Sequence, residues 1–101
     1  MTAMAQTIQN NKTDSIVKKP SLYKVVLNND DSTPMDFVIE LLKSIFHKNH
    51  DDAVKVTLKI HEEGKGTAGL YTLEIAEQKQ NEAVFVSRSN GHPLAITLEV
   101  E

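Results

Sequence analysis

The chain has no cysteine and no tryptophan, only three prolines and four glycines, and 5% aromatic residues. Without cysteine there is no disulfide, no thiolate metal site and no cysteine nucleophile, which fits a reducing compartment. No apolar run approaches the roughly 18 residues that a spanning helix requires. The N-terminus has neither the basic start and apolar centre of a secretory signal nor the arginine-rich composition of a transit peptide, so neither export nor organelle import is expected. Basic charge is scarce and unevenly placed. Residues 1–20 carry Lys12, Lys18 and Lys19 against Asp14, a net of +2, whereas residues 21–101 carry 8 basic and 13 acidic side chains, a net of −5. An acidic domain without a basic stripe and with few aromatics is a poor nucleic-acid binder, because phosphate contact needs clustered lysine and arginine. A cationic partner suits it better.

What is present is an ordinary globular composition, 40% apolar and 25% charged over 101 residues, enough for one domain. Residues 1–20 are rich in Gln, Asn, Thr, Ser and Lys without a sustained period, and are expected to form a flexible extension ending near Pro20. The domain proper is expected over 21–101. Its first strand is expected at about Leu22 to Leu27. Helical spacing then begins at Pro34, with Met35, Val38, Ile39, Leu42, Ile45 and Phe46 on one apolar face. Thr33 reads as the N-cap, Pro34 as the first helical residue, and Asp36 as the far end of a shortened capping box. The pattern breaks near Lys48-Asn49. A second helix follows with Asp51 and Asp52 in its first turn, an inner stripe of Ala53, Val56, Thr57 and Ile60, and Gly64 at its C-terminal stop.

Gly64 to Gly69 reads as a helix-to-strand turn, since a phosphate loop would open a helix instead. Alternation over Leu70 to Ile75 predicts the second strand. Glu77 to Asn90 is expected to be helical, with Asn90-Gly91 as its stop. The alternation of Leu94, Ile96, Leu98 and Val100 predicts the last strand. The expected fold is α+β, in the order β-α-α-β-α-β, a small three-stranded antiparallel sheet packed against three helices.

Capping leaves Asn29, Asp30 and Asp31 without a structural task. Two adjacent carboxylates in a strand-to-helix loop read equally as a solvated turn or as a cation site. His61, at the edge of the inner stripe of the second helix, reads as a core-edge histidine or as the rim of a cleft. No nucleophile sits in a recognisable catalytic turn, His61-Glu62-Glu63 lacks the second histidine of a zinc-protease motif, and no metal or cofactor is expected.

These residues resemble the signature of the ClpS family of Clp protease adaptors. Asn29-Asp30-Asp31, Thr33-Pro34-Met35 and Phe37-Val38 carry the likeness, with Lys19-Pro20 and Tyr23-Lys24-Val25 before them. Ile60-His61, Gly64-Lys65, Gly69, Glu74, Ala76-Glu77, Lys79 and His92-Pro93-Leu94 follow in order, so the likeness extends over about residues 19–101. The resemblance implies a non-enzymatic adaptor of the bacterial cytoplasm, monomeric and without membrane or nucleic-acid contacts. Such an adaptor binds proteins beginning with Leu, Phe, Tyr or Trp and delivers them to the ClpA unfoldase of the ClpAP protease. By position, Asn29, Asp30 and His61 would hold the substrate α-amino group. Thr33, Met35, Val38, Ile60 and Leu94 would line the pocket for its first side chain, Met35 gating against β-branched side chains. Glu74 and Lys79 would meet the ClpA N-terminal domain, and residues 1–19 would be the extension offered to the unfoldase. Two further pocket positions depart from the family pattern: Asn28 stands where an aliphatic residue is usual and Thr57 where methionine is usual. Both imply an altered preference among first residues, towards Tyr. A protein-interaction domain of similar topology without an amine pocket is the rival reading.

Overall fold

The computed structural model describes residues 20–101. Six elements follow in the expected order: β1 (Leu22–Asn28), α1 (Met35–Ser44), α2 (His50–Glu63), β2 (Lys65–Thr72), α3 (Leu73–Ser89) and β3 (Ala95–Val100). The expected extension over residues 1–20 lies outside the described residues except for Pro20. The sheet order is β2-β1-β3, and both pairings are antiparallel. No helix among the described residues is long and apolar enough to cross a membrane.

β1 is central because it is the most apolar strand. Val25 and Leu27 point into the core, where they meet Leu41, Leu42, Ala53, Ala76, Ala83, Leu94 and Ile96. Helical spacing places Val38, Leu41, Leu42 and Phe46 on the buried side of α1. Lys65 and Glu99 pair at 2.9 Å across the central strand on the other face of the sheet. Between α1 and α2 the chain turns at His47, whose φ of 57° lies in the left-handed region. Asn49 then caps α2, its Oδ1 accepting from Asp52 N at 2.9 Å, with Asp51 and Asp52 in the first turn.

Three long side chains of α3 fasten that helix to the rest of the molecule. Lys79 Nζ donates to Ile45 O (2.9 Å), an end carbonyl of α1. Gln80 Nε2 donates to Ile96 O (2.8 Å) on β3. Arg88 Nη1 donates to His92 O and Leu94 O (3.0 and 2.9 Å). Each satisfies a carbonyl that regular structure leaves unpaired.

Two local expectations require correction. The second strand is Lys65–Thr72, not Leu70 to Ile75. Leu73 and Ile75 open α3, more than two-fifths exposed, so their apolar alternation does not report a buried strand face. The start of α1 is also shifted by one residue. Val38 N donates to Pro34 O at 3.3 Å, which makes Pro34 the flanking residue and Met35 the first helical one. Thr33 does not cap. Its hydroxyl donates to Asp30, and Asp36 Oδ1 accepts from the adjacent Phe37 N (3.0 Å) in place of a capping box.

Candidate functional site

The loop that follows β1 is tied to the end of α2 by one backbone bond: Asn29 N donates to Gly64 O at 2.8 Å. Gly64 takes φ 93° after the last turn of α2, a conformation that glycine reaches without a Cβ penalty. His61 lies in that last turn. The left-handed cap and the Asn29 bond therefore bring the β1–α1 loop and the C-terminal end of α2 to the same cleft.

The cleft encloses about 240 Å³ and is lined by Asn29, Asp30, Asp31, Thr33, Pro34, Met35, Val38, Thr57, Ile60, His61 and Leu94. That volume falls below the roughly 300–1,000 Å³ usual for drug-sized ligands; it suits one side chain and the backbone group beside it. Asn29, Asp30 and His61 supply polar atoms from two elements. Val38, Ile60 and Leu94 are each no more than 5% exposed and form the apolar depth, while Met35, 39% exposed, stands at the rim.

Within the loop, Asp30 is held firmly. Its Oδ2 accepts from Thr33 Oγ1 at 2.6 Å and from Ser32 Oγ at 2.8 Å, and Thr33 N donates to Asp30 O at 3.1 Å to close the turn. The Thr33 hydroxyl first, then the Ser32 hydroxyl, holds the Asp30 carboxyl below its ordinary value, and a slight desolvation works the other way. Asn29 Nδ2 donates to Asp31 Oδ1 at 3.4 Å. Three kinds of acceptor thus line the cleft: a carboxylate kept ionised, an amide carbonyl and an imidazole nitrogen. A primary ammonium has three donors and one positive charge, and this set complements it.

The expected site residues divide into three groups. Asn29, Asp30, His61, Thr33, Met35, Val38, Thr57, Ile60 and Leu94 converge on the cleft. Asn28 does not. Its Nδ2 donates to Ala95 O (3.1 Å) and Thr97 Oγ1 (3.2 Å) on β3, so it stitches the sheet and lines no part of the cleft. As the last residue of β1 it faces away from the side chain that precedes it, Leu27, which is in the core. Glu74 and Lys79 belong to α3, apart from the cleft; Glu74 is exposed in the first turn and Lys79 is half-buried on Ile45 O.

Thr57 also differs in detail from expectation. Its wall is short, but its hydroxyl proton is given to Ala53 O at 2.8 Å, so it presents no donor to the cleft. Sequence reasoning passed over Pro34 as a wall residue and over the ring contact of His92, whose centroid lies 4.4 Å from that of Phe37 at 59°. Nothing in the spacing of His92-Pro93 signals the Phe37 ring.

The fold and the cleft together define a small α+β recognition domain whose cleft is acidic at its mouth and apolar along its depth. Comparison with known proteins gives the family. The model of "ATP-dependent Clp protease adaptor protein ClpS" matches residues 18–97. The ATP-dependent Clp protease adapter protein ClpS of Vibrio cholerae serotype O1 is 51% identical over 88 residues, 87% of this chain and 83% of that protein. The protein of the same name from Maricaulis maris is 48% identical over 90 residues, covering 89% and 83%. Among solved structures, Agrobacterium tumefaciens ClpS2 bound to L-phenylalaninamide matches with a TM-score of 0.79 and 38% identity, over 82% of this chain and all of that one. This chain belongs to the ClpS family of Clp protease adaptors.

Proposed function

We propose that the cleft binds the free N-terminus of protein substrates that begin with Leu, Phe, Tyr or Trp, and that the chain delivers them to the ClpA unfoldase of the ClpAP protease in the bacterial cytoplasm. The observation that carries the reading is that Asn29, Asp30 and His61 line the same cleft as the buried apolar side chains of Val38, Ile60 and Leu94, a cavity sized for one side chain. L-phenylalaninamide, the ligand named for ClpS2 of Agrobacterium tumefaciens, has the same two parts, a primary amine and a benzyl group.

The energetics fit a carrier. Burying one large apolar side chain contributes about 1.5–3 kcal/mol, and each charge-assisted hydrogen bond adds about 1.5–3 kcal/mol. Ordering costs bring the sum to roughly micromolar affinity. An adaptor must release what it carries, so stronger capture would work against it.

Docking on the unfoldase is assigned to the exposed Glu74 in the first turn of α3. Lys79, placed with it by resemblance, can join only by leaving Ile45 O. Residues 1–19 serve as the extension presented to the unfoldase, and the chain acts as a monomer. A labelled peptide beginning with Phe tests the binding step: it should bind and saturate, whereas its N-acetylated twin should not. Equal binding of the two would favour an interaction domain without an amine pocket. Peptides differing only at the first residue read the preference. The short Thr57 wall, with its proton turned into the helix, is expected to favour Tyr over Leu, and a Leu-led ranking would overturn that.

A further inference from the structure

On the sheet face turned away from the core lies a second cavity, of about 290 Å³, which we propose is a binding site for a phosphate-type oxyanion. Its floor is Val26, only 2% exposed although alternation directs it opposite to the core residues Val25 and Leu27. Three lysines from three elements line it: Lys24 of β1, Lys59 of α2 and Lys65 of β2. They are three of the eight basic side chains in a domain whose net charge is −5. The cavity therefore gathers positive charge against the overall balance.

Two of these cations are left available by the way the nearby carboxylates are used. Glu99 stands directly opposite Lys24 in the register of β1 and β3, yet its carboxylate reaches over the central strand to Lys65, 2.9 Å away. Lys24 is thereby left half-buried, without an ion pair among the described residues. Glu63 follows Lys59 by one helical turn, the less favourable order for pairing, and the two form no ion pair. The donor set selects the ligand. A carboxylate is best matched by the planar fork of arginine, and no arginine lines the cavity. Ammonium groups act as point charges that the oxygens of one phosphate can share, and the Thr67 hydroxyl, opposite Val26 in register, adds a donor. The last turn of α2 carries Ile60 and His61 to the cleft and Lys59 and Glu63 to this cavity. The two sites lie on different sides of that turn, and the inference stands apart from the reading of the cleft.

The test is a titration of the full chain with inorganic phosphate at fixed ionic strength, followed by the backbone amide resonances of Gly66 and Thr67. These should shift and saturate at roughly millimolar phosphate. Lys24→Gln and Lys59→Gln should each weaken binding by about two- to fivefold, the size of a solvent-exposed ion pair, and the double variant should abolish it. Glu63→Gln removes the one carboxylate of the cavity that no lysine holds, and should tighten binding by a similar factor. Lys55→Gln, one turn earlier on α2 and outside the cavity, should change nothing. Methyl phosphate identifies the source: equal or tighter binding of the ester assigns the site to a phosphate group borne on a larger molecule, weaker binding to the free ion. Shifts that grow without saturating, that acetate reproduces at the same ionic strength, or that survive in the double variant overturn the proposal. Titration with L-phenylalaninamide reads the cleft independently, so the failure of either site is visible by itself.

Discussion

Between pH 8 and 5.5 Asp30 remains a carboxylate, because the Thr33 and Ser32 hydroxyls hold its carboxyl below its ordinary value. A depressed carboxyl keeps its charge as pH falls and loses it only below its own lowered value, so Asp30 contributes no change within this window. His61 is the one histidine lining the cleft, and an imidazole can accept from an ammonium only through a ring nitrogen that carries no proton. His61→Ala is therefore expected to weaken binding of a Phe-starting peptide, and His61→Gln, which keeps a carbonyl acceptor, should restore most of the loss. Unchanged affinity in His61→Ala would remove His61 from the amine contact. Met35 permits a second prediction at this scale. It stands at the rim, 39% exposed, where its length narrows entry to the cavity. Met35→Ala should admit peptides beginning with Ile or Val that the parent excludes; no gain in a direct titration would deny it a gating role.

Among the elements, the crossing of β2 beneath α2 sets the cavity wall. A Cβ added at Gly66 would lie 2.9 Å from Ile60 Cγ1 and 3.4 Å from Val56 O. Gly66 is thus required by close approach, and the residue it would displace lines the cleft. Gly66→Ala is expected to cost about 1–3 kcal/mol of stability and to weaken phenylalaninamide binding as well. Gly64→Ala is the contrast: it meets nothing within 4 Å, but its φ of 93° strains any side chain, so it should lower stability by about 1 kcal/mol without narrowing the cavity. Denaturant titration alongside ligand titration separates the two. The same crossing explains which parts of the fold were legible. Alternation in β1 and β3 and the 3.6-residue spacing of α1 and α2 follow from local burial, and their order could be read directly. β2 could not, because Gly66 and Gly69 are poor strand formers, Gly66 being selected by the close approach of Ile60 and Val56 on α2 and Gly69 by the Tyr71 ring of its own strand. The β2–α3 boundary was obscured by Leu73 and Ile75, which alternate like a strand yet lie exposed on a helix. In the loop, Thr33 was read as a cap because its residue type suits both tasks, and only the structure shows its hydroxyl on Asp30. Asn28 is a pocket residue only by the family resemblance, whereas alternation along β1 turns it to the opposite face, onto Ala95 O and Thr97 Oγ1.

For the molecule as a whole, the proposed docking residue Glu74 lies at the end of α3 opposite to the one whose Arg88 holds Leu94. Its 17 residues run from Leu73 to Ser89, and at about 1.5 Å per residue Glu74 stands roughly 20 Å along the axis from Arg88. Arg88 grips the carbonyl of Leu94, a cleft residue, while Glu74 is exposed at the far end. A partner seated at Glu74 would therefore leave the cleft accessible, as a ternary complex of substrate, adaptor and unfoldase demands. Sites this far apart with no shared partner contribute independently. Glu74→Lys should leave Phe-peptide affinity unchanged within twofold, yet reduce ClpAP degradation of a Phe-starting substrate, with the loss larger at low salt because it arises from charge. Asp30→Ala should do the reverse, abolishing peptide binding while leaving a direct titration against the ClpA N-terminal domain intact. Should Glu74→Lys degrade substrate at the parental rate, the docking surface lies elsewhere on the domain. Should it lose peptide affinity as well, the two ends of α3 are coupled and the separation fails.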